Sequence, residues 1–279
     1  MTLDPMRAPA LRGLARRDFT KLEQAERWQP PAFGSPTTLR AKAVAVVRRA
    51  LDLQAASIWN DLVPLLGAAR GTVLDVGAGA QPYRGLLSPD VTYRAIDVKL
   101  AEAFGYDQPD TTYYEGDRWP VDDAKVDIVF ATETLEHVPD PPAFLSEARR
   151  VLVDGGQVLL TVPFSARWHY IPHDYWRFTP SSLQNLLEEA GFGEVQVYAR
   201  GNEVTVAVAK SLGLILAALL PPGGGVSVRR LLAALTLPLV AVLAAVGQVS
   251  LRGQGGDDCL GWTVLATAAP RVADDAAPE

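Results

Sequence analysis

The chain has 279 residues, 48% of them apolar, a formal net charge of −6 and a single cysteine. That length allows one large α/β domain with an insertion or two small domains, and the apolar fraction can fill a sizeable core. The acidic balance argues against a general nucleic-acid binder, which needs clustered Lys and Arg, and one cysteine, Cys259, excludes an intramolecular disulfide and any cysteine-rich zinc site.

Residues 1–36 are rich in Pro, Arg and polar groups and read as a flexible arm. Met1–Phe19 lacks the continuous apolar run of roughly 7–15 residues that a signal peptide needs, so a cytoplasmic setting is expected. From Leu39 to Leu66 apolar residues recur at helical spacing, broken near Ser57–Asn60, which predicts one or two helices. Short β-branched runs then alternate with helical stretches, with strands expected at Thr72–Val76, Thr92–Ile96, Tyr113–Glu115, Val126–Phe130, Gln157–Val162 and Val195–Tyr198. Thr179, Pro180 and Gly191 supply the cap, first-turn proline and stop of a helix over Ser181–Ala190. Alternation of this kind predicts a doubly wound, mostly parallel sheet. It assigns a catalytic domain to 37–203, an apolar helical hairpin to 204–252, a returning final strand to 253–268 and a disordered tail to 269–279.

Three motifs carry the chemistry. Val73–Val76 runs into Gly77-Ala78-Gly79, where absent Cβ atoms let the backbone turn sharply and a ligand approach. Pro82 stands where a dinucleotide fingerprint wants its third glycine, which counts against a nicotinamide or flavin enzyme. Asp97 ends the next strand about 20 residues on, where an acid can accept both hydroxyls of an adenosine ribose. Asp117, after Glu115-Gly116, is placed to accept the adenine amino group. The third motif is Val126–Thr132 followed by Glu133-Thr134-Leu135-Glu136-His137-Val138 and then Arg150-Val151-Leu152-Val153-Asp154-Gly155-Gly156. With the first two it resembles the class I S-adenosylmethionine (SAM)-dependent methyltransferases, in the subgroup with "LEHV" and "RVL-x-x-GG" before the fifth strand. A further segment, Pro172-His173-Asp174-Tyr175-Trp176-Arg177-Phe178-Thr179-Pro180, resembles one found in a subset of these enzymes.

The resemblance implies a seven-stranded sheet with one antiparallel strand and SAM across the ends of the first four strands. Asp75, Gly77 and Gly79 would then line the methionine end, Asp97 the ribose, Gly116 and Asp117 the adenine, and Thr132 the sulfonium. Asp154 departs from the usual proline.

The chain's three histidines, His137, His169 and His173, all follow the fourth or fifth strand, at the ligand edge of such a sheet. A transfer to oxygen or nitrogen needs a group to take the acceptor's proton, and histidine titrates near neutrality; His173 with Asp174 is the expected pair, with aromatics shaping the acceptor pocket. Glu133, Glu136 and His137 at i, i+3 and i+4 would share a helical face and, with His169 or His173, could hold a divalent cation, but no metal is assigned. The apolar block is read as a hairpin dipping into one leaflet; a cap over an apolar acceptor and a homodimer interface are the alternatives. The expected protein is thus a SAM-dependent methyltransferase at the inner face of a membrane, acting on a small-molecule, glycan or lipid-linked acceptor. The rival is a SAM-binding, membrane-tethered module without turnover.

Overall fold

The structure is a computed structural model that describes residues 34, 36, 38–99, 101, 106–219 and 235–271. Most of the arm, the link at 220–234 and the end of the tail lie outside the described residues. Seven strands form one sheet in the order β3-β2-β1-β4-β5-β7-β6. They are β1 (Thr72–Val76), β2 (Thr92–Val98), β3 (Thr111–Tyr114), β4 (Val126–Thr132), β5 (Leu152–Pro163), β6 (Phe192–Arg200) and β7 (Gly261–Ala268). β7 runs antiparallel to both neighbours, and the pairs from β3 across to β5 are parallel. The chain order reverses between β1 and β4, so a crevice opens where the crossovers diverge.

The central strands are apolar on both faces because both faces are covered. Leu74, Val129 and Leu160 pack on one side beneath α3 (Pro141–Val151) and α4 (Pro180–Glu189), with Leu145, Leu183 and Leu187 in the same cluster. Val73, Phe130 and Leu159 face Ile58, Leu62 and Leu66 on the other. Thr179 caps α4 through a reciprocal capping box with Ser182, and Pro180 opens the helix, as its sequence predicts.

The N-terminal helices differ from expectation. α1 (Leu39–Leu51) and α2 (Leu53–Ala68) meet at Asp52, and Ser57–Asn60 lie inside α2. The Asp52 carboxylate accepts the Ala55 N–H at 3.1 Å and starts the second helix. The Ser57 hydroxyl donates to the Gln54 carbonyl, so the polar residue joins the helix instead of ending it. Between β6 and β7 stand α5 (Glu203–Leu219) and α6 (Leu237–Ser250). They pack around Leu53, Val206, Leu212 and Val240, and among the described residues no helix is long and apolar enough to cross a membrane.

Candidate active site

A cavity of about 680 Å³ opens at the C-terminal ends of β1 to β4, walled by α1 and α2 on one side and by residues 169–175 on another. Its floor is the turn after β1. Gly77 and Gly79 have φ of 69° and 50°, a left-handed conformation that side chains disfavour. A Cβ at Gly77 would also collide with the Thr134 side chain. The turn is tied down by the Gly77 N–H donating to the Ile96 carbonyl at 3.0 Å.

Asp97 joins this turn to β2. Its carboxylate accepts the Gly79 N–H at 2.9 Å and the Val98 N–H at 2.8 Å. Burial pushes the carboxyl up from its ordinary range, and those two N–H groups pull it partly back. Gly116, Asp117 and Thr132 also line the cavity, and nothing lies within 4 Å of where a Gly116 Cβ would stand. A side-chain-free glycine turn, an acid at the end of β2 and a second acid after β3 give cleared backbone and two acceptors that fit an adenosyl group.

Asp75 is placed differently from expectation. It is not among the cavity's lining residues; it is buried behind the turn, and its carboxylate accepts the Tyr93 hydroxyl at 2.7 Å. Burial pushes its pKa up to about 7, against the Tyr93 hydrogen bond.

All three histidines line the cavity, and the ring centroids of His137 and His169 are 4.9 Å apart. The expected pairing of His173 with Asp174 is not formed. Asp174 instead lies 3.0 Å from His169 Nδ1 and accepts from both terminal nitrogens of Arg177 at 2.6 and 2.8 Å. Burial alone would raise this carboxyl, but the Arg177 and His169 hydrogen bonds outweigh it and hold it far below the usual carboxylate range. His169 Nδ1 also faces the Arg167 carbonyl at 3.0 Å; with two acceptors before it, Nδ1 carries the proton and Nε2 is the basic nitrogen.

His137 is set the same way, its Nδ1 2.8 Å from the His173 carbonyl. Burial pushes this imidazole down despite that bond. His173 Nδ1 lies 3.2 Å from the Tyr175 hydroxyl. Of the aromatics, Tyr175 lines the cavity, Trp176 donates to the Val138 carbonyl at 2.9 Å, and Phe178 belongs to the core.

The helical face expected for Glu133, Glu136 and His137 is not built. Glu133 has a φ of 49° and is drawn to Arg200 at 2.7 Å and Gln54 at 2.9 Å, and only Leu135–His137 forms a short 3₁₀ turn. Glu136 is fully buried; among the described residues its oxygens have no hydrogen-bond partner outside its own residue, and His137 Nε2 lies 3.6 Å from Oε1. Burial pushes it well up from its ordinary range, with Glu133 adding to the effect. One ligand atom each from Glu136, His137 and His169 lie within 4.8 Å of one another, so this trio, without Glu133, is the set that could take a cation.

Sequence reasoning missed the second wall. Arg48, Arg49, Gln54 and Trp59 of α1 and α2 line the cavity, and the Arg49 guanidinium sits 4.0 Å above the Trp59 ring. Helical spacing gave these helices but not which face they present. Arg200 was also missed, because only its burial beneath Glu133 and Ser57 distinguishes it from a surface arginine.

The profile of a family described as "Methyltransferase domain" matches residues 48–197. A "probable S-adenosylmethionine-dependent methyltransferase" of Mycolicibacterium smegmatis is 32% identical over 137 residues, 43% of this chain and 51% of that protein. A malonyl-[acyl-carrier protein] O-methyltransferase of Alcanivorax borkumensis is 28% identical over 147 residues, 44% of this chain and 49% of that one. The chain thus spans about half the length of the curated relatives it matches. Among solved structures, a SAM-dependent methyltransferase from Archaeoglobus fulgidus aligns with a TM-score of 0.46 at 16% identity, over 77% of this chain and 94% of that one. With the family profile covering more than half of the chain, the protein belongs to the methyltransferase-domain family, whose cofactor is S-adenosylmethionine.

Proposed function

We propose that this chain transfers a methyl group from SAM to an oxygen, with nitrogen or carbon second, of a small-molecule, glycan or lipid-linked acceptor. The observation that carries the reading is Asp97, buried at the cavity rim and bound to the backbone of the glycine turn it faces. Asp97 would hold the ribose hydroxyls, Gly77 and Gly79 the methionine end, Asp117 the adenine, and Thr132 the region beside the sulfonium. Bound SAM supplies an electrophilic methyl group on a positively charged sulfur. The protein's part is alignment, with α1, α2 and the 169–175 segment walling the reacting atoms from water.

The proton of an acceptor hydroxyl goes to His169 Nε2. Asp174, itself gripped by Arg177, holds Nδ1–H and stabilises the imidazolium that forms, while His137 and His173 complete the wall around it. This base distinguishes a working enzyme from a SAM-binding module without turnover, since binding alone needs no carboxylate-oriented imidazole.

The test is calorimetric titration of the full chain with SAM, followed by transfer from labelled SAM to candidate acceptors. Asp97→Ala is expected to weaken SAM binding by about a hundredfold, as befits a lost charge-assisted hydrogen-bond pair. His169→Gln should leave SAM affinity intact and lower kcat by roughly 10²–10⁴-fold, with Asp174→Asn acting in the same direction. A well-folded chain that binds no SAM would overturn the proposal.

A further inference from the structure

We infer that α1, α5 and α6 together form a docking surface for an anionic bilayer, lying in its headgroup region beside the mouth of the cavity. α6 has no charged side chain, and Leu237, Leu239, Val242, Val246 and Val249 are all exposed on it. Only Val240 and Gly247 of that helix are buried. A helix apolar around most of its circumference is stable only where something covers it. The neighbouring helices also expose apolar side chains, with Leu214 of α5 77% exposed and Val44 and Val47 of α1 also open. The three are one platform. Val208 and Leu212 of α5, Val240 of α6 and Leu53 share a cluster, and Gln248 of α6 donates to the Arg49 carbonyl of α1 at 2.9 Å.

Charge identifies the occupant. In a chain of net charge −6, α6 carries no charged residue, Arg252 follows it, and α5 carries Lys210 with Glu203 at its start. α1 supplies most of the positive charge, with Arg40, Lys42, Arg48 and Arg49 and no Asp or Glu. A basic, apolar surface on an otherwise acidic protein matches anionic headgroups over acyl chains. It does not match a second copy of itself, because a twofold interface would set these cations against one another. Among the described residues no helix is long and apolar enough to span; the surface is one that lies along the bilayer, and the cytoplasmic leaflet is the anionic one.

The platform also bears on the acceptor. Arg48 and Arg49, at the C-terminal end of α1, line the cavity, so the helix that rests on the bilayer is also a wall of the site. An acceptor with a lipid part could then enter without leaving the membrane; this last step rests on the methyltransferase reading, whereas the docking surface does not.

The experiment is flotation of the full chain with vesicles of phosphatidylcholine alone and of phosphatidylcholine with phosphatidylglycerol, at low and high salt. Two variants accompany it: Val242→Glu with Val246→Glu on α6, and Arg40→Glu with Lys42→Glu on α1. None of these residues lines the cavity, so SAM titration reports whether each variant is folded. The expected result is flotation with anionic vesicles, lost on adding salt and reduced at least about tenfold in both variants, with SAM affinity unchanged. Equal flotation with neutral vesicles would overturn the inference. So would absence of flotation, with a dimer in light scattering that the α6 variant dissociates marking a self-interface and a monomer marking a face covered by the chain's own segments. Vesicle binding without SAM binding would instead sink the proposed activity and leave the surface standing.

Discussion

At the scale of single residues, buried acids divide into two kinds. Asp174 is compensated by Arg177 and His169 and stays ionised. Asp75 has only the Tyr93 hydroxyl, and burial raises it to about 7 from 3.8. A carboxyl raised in the folded state favours folding below its unfolded pKa and loses that contribution as pH climbs through the folded value. The wild-type protein therefore carries an increasing penalty between pH 4 and 7 from this residue. Asp75→Asn keeps an acceptor for Tyr93 and removes the penalty, so it should stabilise more at pH 8 than at pH 5, by on the order of 2–3 kcal/mol. Thermal melts at the two pH values check this; an equal gain at both would show that Asp75 is not raised.

At the scale of elements, what was legible depended on how local the signal was. α4 starts where its Thr179-Pro180 pair says it should, and the capping box with Ser182 supplies the reason. Thr179→Ala should cost about 1 kcal/mol, a drop of roughly 2–4 °C in Tm for a chain of this size. Each of the seven strands overlaps its expected stretch; most extend by two or more residues, and β3 is displaced, running Thr111–Tyr114 instead of Tyr113–Glu115. β5, for instance, begins at Leu152 instead of Gln157, because Leu152 pairs with Val126 across a bulge before the regular register resumes at Gln157. The junction of α1 and α2 was misplaced because a polar stretch, Ser57–Asn60, looks like a break until Asp52 is seen capping the second helix.

At the scale of the whole molecule, one buried cation ties distant parts together. Arg200, at the end of β6, donates to Glu133 beyond β4, to the Val162 carbonyl of β5 and to Ser57 of α2. Glu133 in turn takes Gln54 of α2. The helix that walls the cavity is thus fastened to the sheet through a side chain with no exposed surface. Arg200→Leu leaves Glu133 half-paired and should cost about 3 kcal/mol. It should also weaken SAM binding by roughly tenfold as α2 loosens over the site, an effect that Arg200→Lys would partly restore. Unaltered SAM affinity in a destabilised Arg200→Leu would confine the network to folding.

The sequence by itself determined the sheet class, the glycine turn after the first strand and the family. Those signals are short-range: a strand running into Gly77-Ala78-Gly79, an acid at Asp97, a "LEHV" turn. They depend on backbone freedom and spacing, which a linear pattern records. Only the tertiary structure decided which imidazole meets which carboxylate. His173 is adjacent to Asp174 and His169 lies five positions away, yet the fold of residues 167–177 brings His169 Nδ1 to that carboxylate while His173 turns to Tyr175. It also decided that Glu133 leaves its neighbours for Arg200, since a contact across 67 positions depends on how strands and helices stack and leaves no trace in local periodicity.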